Sequence, residues 1–168
     1  GLATNVRVQD RRLRRIVKQC QDLPGQFLLE YLDEDGAAVP LTSTDVNSYL
    51  RDAAEMDVTA KDFRTWTGTL LATTALAALS SPESERACRH ATTEVVREVA
   101  AQLGNTPAVA RGSYVHPAVI EWFADGSLPE RWARASARGS RFLRPEERKL
   151  VRVLRAGNRR RRAVPKAA

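Results

Sequence analysis

The chain has 168 residues, enough for one domain with a real core and short for two. Its 43% hydrophobic and 28% charged residues fit a soluble globular protein, and no run of about 18 apolar residues exists to span a membrane; Leu70–Leu79 comes nearest and is broken by Thr73 and Thr74. A net charge of +7 and a pI near 10.1 point to an anionic partner, nucleic acid first, while the sequence holds no G-x-x-x-x-G-K cradle for ATP, no metal-ligand spacing among His90, His116, Cys20 and Cys88, and no signal peptide.

In chain order, Val6–Gln9 alternates like a short strand. Asp10 is placed to cap a helix running to about Gln21. Leu13, Ile16, Val17 and Cys20 lie on one face of it, and Arg11, Arg12, Arg14, Arg15 and Lys18 on the other. Leu23-Pro-Gly25 stops it. Phe27–Leu32 is apolar and reads as strand or short helix, and Asp33-Glu-Asp-Gly36 reads as a turn. Ser43 or Thr44 is expected to cap a helix to about Ala54, and Thr59 one from about Ala60 to Leu79. Ser81, with Pro82 at the first helical position, is expected to open a helix that Gly104 closes after Leu103. Thr106 and Pro107 begin a short helix towards Tyr114. His116-Pro117 restarts one to about Asp125, Ser127–Ala137 forms another, and Pro145 opens a last amphipathic helix through Leu154. The expectation is a mainly α single domain with a small β element at its N-terminal edge: a helical domain over 1–140, a C-terminal helix over 141–157, and a basic, disordered tail over 158–168. The two cysteines, far apart and in no motif, read as free thiols of a reducing cytosol.

Two segments carry chemistry: Lys61-Asp-Phe-Arg-Thr-Trp66, and Leu103-Gly-Asn-Thr-Pro107 leading to Tyr114. A phenol is protonated at neutral pH and gains nucleophilicity from nearby cations, for which Arg64 and Arg111 are the candidates. A guanidinium presents paired N–H donors that match two phosphate oxygens. Asn105 can donate a hydrogen bond but cannot transfer a proton at neutral pH. Taken singly, each residue has a plainer reading. Tyr114 can be an ordinary tyrosine with a satisfied hydroxyl, Arg64 and Lys61 members of a solvated face, and Asn105 a cap after Gly104.

Together the pieces resemble the catalytic motifs of type IB DNA topoisomerases, specifically the small bacterial and poxvirus-like enzymes, which share a catalytic core with the tyrosine recombinases. The resemblance spans about Asp10 to about Arg138. It implies a DNA topoisomerase that cuts one strand through a 3′-phosphotyrosyl link, lets the duplex rotate and religates, with no cofactor and no metal. It makes Tyr114 the nucleophile, Arg64 and Asn105 the groups that stabilise the transition state, and Lys61 and Arg111 supporting phosphate contacts. The implied partner is double-stranded DNA, bound through its phosphates by a monomer in the cytoplasm and associated with the nucleoid. Asn105 stands where many relatives carry histidine, and Lys61 where tyrosine recombinases usually do.

The resemblance also implies two upstream residues, an arginine and a β-hairpin lysine that protonates the leaving 5′ oxygen. Alignment of Val6–Leu13 places that lysine just before Gly1, and Arg7 and Arg14 substitute poorly for it. The chain is therefore expected to be the C-terminal part of a catalytic domain, without the clamp that closes around duplex DNA. Loss of general-acid help would slow cleavage by about 10² to 10⁴. A tyrosine recombinase or integrase, a catalytically silent DNA-binding module, and a helical interaction domain remain as alternatives.

Overall fold

The computed structural model describes residues 9–22, 27–139 and 142–163, the last six of these as backbone only. The expected strand at Val6–Gln9, apart from Gln9, and the Leu23-Pro-Gly25 stop lie outside the described residues, as do residues 164–168 of the expected tail. The chain is mainly helical and divides into two compact units, Gly1–Asp62 and Phe63–Ala168. Among the described residues no helix is long and apolar enough to cross a membrane.

In the N-terminal unit, Asp10 accepts hydrogen bonds from the backbone N–H groups of Arg12 (2.7 Å) and Leu13 (2.9 Å), which starts α1, Arg11–Gln21. None of its residues is buried, and Leu13 and Ile16 are 41% and 52% exposed. The apolar run after Phe27 resolves as strand: β1 (Glu30–Leu32) pairs antiparallel with β2 (Ala38–Pro40), Tyr31 opposite Val39. The Asp33–Gly36 turn joins them. The Asp33 carboxylate accepts from the N–H groups of Asp35 and Ala37, and Gly36 takes φ +79°. Helix α2 spans Ser43–Ala54. Its cap is Thr42, one residue before the expected positions, because Thr42 and Asp45 form a reciprocal capping box.

At the start of helix α3 (Ala60–Ala77) the Asp62 carboxylate reaches back and accepts from both the N–H and the hydroxyl of Thr59. Its body from Phe63 onward belongs to the second unit. Helix α4 covers Glu85–Leu103. Ser84, not Ser81, caps it, since the Ser81 hydroxyl is engaged with the Gly126 carbonyl at 3.2 Å while Ser84 accepts from Ala87 N–H at 3.1 Å. Gly104 ends α4 in the left-handed conformation at φ +65°. Helices α5 (Pro107–Val109), α6 (Pro117–Ala124) and α7 (Leu128–Arg134) follow. The core of this unit gathers Leu76, Val99, Val119, Phe123, Leu128 and Leu150 at 2% exposure or less.

The last helix, α8, runs Pro145–Ala163, past the expected end near Leu154. Arginine is a strong helix former, so the basic run Arg159–Arg162 extends the helical backbone rather than breaking it. Gly157 lets α8 lie directly on the Trp122 indole of α6, with Trp122 Cε2 at 3.4 Å from where a Cβ would stand.

Candidate active site

The site is built on one face of α3. Gly68, Thr69, Ala72, Thr73 and Leu76 recur at helical spacing and are buried. At Gly68 the missing side chain admits another piece of backbone. A Cβ there would stand 2.6 Å from the Tyr114 carbonyl oxygen and 3.0 Å from Tyr114 Cβ. The flanking threonines hold that segment in place. Thr65 donates its hydroxyl to the Ser113 carbonyl at 3.2 Å. Thr69, 3% exposed, donates to the Tyr114 carbonyl at 3.2 Å and accepts from the His116 N–H at 3.1 Å. A buried hydroxyl satisfied in both directions by one neighbouring strand of chain fixes that strand firmly.

Local sequence shapes the segment. Thr106 caps α5, accepting from Val109 N–H, and Pro107 occupies the first turn, where no N–H is required. The chain then widens into a π-helical turn over Ala110–Tyr114, closed by Val115 N–H donating to the Ala110 carbonyl at 3.1 Å. Such turns recur at functional sites because the extra residue re-aims a side chain. Tyr114 stands at the end of this turn. His116 caps α6, its Nδ1 accepting from Ala118 N–H at 3.2 Å.

Three of the expected residues come together. The Arg64 guanidinium carbon lies 5.1 Å from the centre of the Tyr114 ring. Arg64 Nη2 also donates to the Leu103 carbonyl oxygen at 2.6 Å, and Asn105 Nδ2 donates to the same oxygen at 3.0 Å. The last carbonyls of a helix have no partner within it, so Leu103 O is open to such donors. Two side-chain donors therefore converge on one oxygen beside a tyrosine ring. An anionic oxygen taking that place would meet both donors, and negative charge on the phenol oxygen would have a cation beside the ring. Arg111 lies in the π turn and is exposed. Lys61 sits in the first turn of α3 and belongs to the N-terminal unit.

Sequence reasoning missed the residues that position these groups. Gly68, Thr65 and Thr69 left a signal, a glycine and two hydroxyls spaced along the helix face that follows Arg64. Glu147 left none for its bond to Trp66, which is remote in sequence. Its carboxylate accepts from Trp66 Nε1 at 3.2 Å and from the Arg144 backbone N–H at 2.8 Å, and pairs with the Arg144 guanidinium at 3.3 Å. These bonds, the Arg144 side chain first, pull the Glu147 carboxyl from 4.5 down to about 2. The ionised form is thus favoured in the fold. Its stabilisation is complete above pH 4.5 and fades as pH falls towards 2. A Glu147→Gln variant should melt below wild type at pH 7, and thermal melts across pH should show the gap closing on the acid side. A gap that stayed constant would contradict this reading.

The family model for the catalytic core of eukaryotic DNA topoisomerase I covers residues 3–129, a span that includes Arg64, Gly68, Thr69, Asn105 and Tyr114. No curated protein matches the chain.

Proposed function

This chain belongs to the family of the eukaryotic DNA topoisomerase I catalytic core, and we propose that it cleaves and reseals one strand of duplex DNA through Tyr114. In this reading the phenol oxygen attacks the phosphorus of a phosphodiester. A phosphotyrosyl ester forms at the 3′ end, and the bond to the 5′ oxygen breaks. The phenol proton passes to solvent on attack, and the departing oxygen takes a proton from solvent and leaves as a 5′-hydroxyl. Religation reverses each step. One phosphoester replaces another of similar energy, so the exchange consumes no ATP and supercoils relax through rotation while the strand is open.

Arg64 and Asn105 have the role of donors to the non-bridging oxygens, which gain charge in the transition state. The observation that carries the reading is their convergence on the Leu103 carbonyl oxygen, at 2.6 and 3.0 Å, with the guanidinium over the Tyr114 ring. Lys61 and Arg111 are assigned to phosphate contact. Lys61, Asn105 and Thr106-Pro107 favour a topoisomerase over a tyrosine recombinase, and the bacterial and poxvirus-like subtype rests on the sequence resemblance alone. The same reading makes the protein a monomer acting on nucleoid DNA in the cytoplasm, with the catalytic fold over 1–140.

A DNA strand whose scissile 5′ oxygen is replaced by sulfur tests this. Thiolate leaves without a proton donor, so adduct formation then reports on Tyr114, Arg64 and Asn105 alone. Wild type should form a covalent protein–DNA adduct and Tyr114→Phe none. Arg64→Lys should slow the reaction by about 10² to 10³, the range for removing one oxyanion donor. An undiminished adduct in Tyr114→Phe would end the proposal. Plasmid relaxation without strand exchange separates it from recombination.

A further inference from the structure

The geometry points to a second phosphate-binding site, in a groove between α7 and α8. The groove encloses about 320 Å³ and is lined by Arg131, Arg134, Ser136 and Arg152 over a floor that includes Ala135 and Val153. These residues all lie beyond the span matched by the family model, which ends at residue 129. Among the described residues that line the groove there is no carboxylate.

Each guanidinium is held, and two are held by neutral partners. Arg131 Nε donates to the Ser127 hydroxyl at 2.8 Å, and its guanidinium carbon lies 4.9 Å from the centre of the Trp122 ring. Arg152 Nη2 donates to the Arg138 carbonyl at 2.9 Å. Neither contact cancels the positive charge. Arg134 pairs with Glu130 at 2.7 Å, but both side chains are well exposed, at 80% and 63%, and an exposed pair contributes little and is readily exchanged. Three like charges around one recess repel one another, and an anion relieves that repulsion. The planar, forked donors of arginine match phosphate oxygens better than a point charge does. The groove is open along the surface rather than closed over a small molecule, so its occupant is a phosphodiester of the DNA backbone. This assignment rests on the proposed DNA substrate.

The test compares wild type with Arg134→Gln/Arg152→Gln; Arg131 stays because it braces Trp122. Affinity for a short duplex is measured against salt concentration, with Arg86→Gln/Arg97→Gln on α4 as a charge-matched control. The groove variant should lose about tenfold in affinity. Its slope of log affinity against log salt should become shallower by about 2, one unit for each lost phosphate contact, and its melting temperature should not change. An equal loss in the control would overturn the assignment. A parallel calorimetric titration with pyrophosphate separates the two sources of phosphate. If the variant loses pyrophosphate binding but keeps its DNA affinity and slope, the groove serves a small anion and the assignment falls. No change in either titration overturns it as well. Absence of any wild-type adduct on the sulfur-substituted strand strikes the proposed function instead, and the pyrophosphate titration still reads the groove.

Discussion

Replacing Gly68 with alanine is expected to lower the rate of covalent DNA capture about a hundredfold. The added Cβ would stand 2.6 Å from the Tyr114 carbonyl oxygen and 3.2 Å from Leu103 Cδ1. The first neighbour is backbone and cannot rotate away, so the Ser113–His116 segment must lift from α3. That movement carries the Tyr114 ring out from under Arg64 and strains the hydrogen bonds of Thr69. A displacement of about 1 Å in a reacting group costs about 10² in rate. The accompanying loss of stability should be modest, about 1–3 kcal/mol as for other overpacked sites. Gly112→Ala is the matched control, since no described residue lies within 4 Å of its Cβ position. Thr69→Val should resemble Gly68→Ala, because it removes both hydrogen bonds, and Thr69→Ser should restore most of the rate. Single-turnover capture on the sulfur-substituted strand is the measurement, and a Gly68→Ala rate equal to that of Gly112→Ala would refute the positioning role.

The largest effect on stability is expected at Gly157. Its Cβ position falls within the Trp122 indole, so alanine cannot be accommodated unless α8 or the ring moves. Trp122 is 7% exposed, and Arg131 packs over its face. A shift of the ring therefore disturbs α6, α7 and α8 together. Gly157→Ala should cost about 3 kcal/mol or more, at the top of the range for overpacking, even though alanine has the higher intrinsic helix propensity. Denaturant unfolding followed by tryptophan fluorescence checks this. An unchanged or raised midpoint would mean that α8 does not lie on Trp122.

Local rules made most of this fold readable in advance. Asp10, Thr59, Gly104, Thr106 and His116 all act at the helix ends that the sequence marked, because capping depends on neighbours within a few residues. Where expectation and structure differ, two residues compete for one local role. Ser84 rather than Ser81 caps α4 because a distant carbonyl, that of Gly126, claims the Ser81 hydroxyl. The candidate residues Arg64, Asn105 and Tyr114 were named from motif spacing. Their convergence on Leu103 O was not legible, since it arises from a helix end left unpaired. In the sequence the π turn is indistinguishable from plain helix, because its i→i+5 bond has no sequence signature. Glu147 lay beyond reach for a further reason: its bond to Trp66 is set by tertiary packing alone.

The central claim is that one particular oxygen of this chain becomes esterified to DNA. Trypsin releases Tyr114 in the peptide Gly112–Arg131, while the other two tyrosines, Tyr31 and Tyr49, share Gln19–Arg51. Mass spectrometry of the trapped, nuclease-trimmed adduct should find the nucleotide on Gly112–Arg131, with fragmentation placing it on Tyr114. A nucleotide carried by Gln19–Arg51, or by Ser113 in place of its neighbour, would contradict the account.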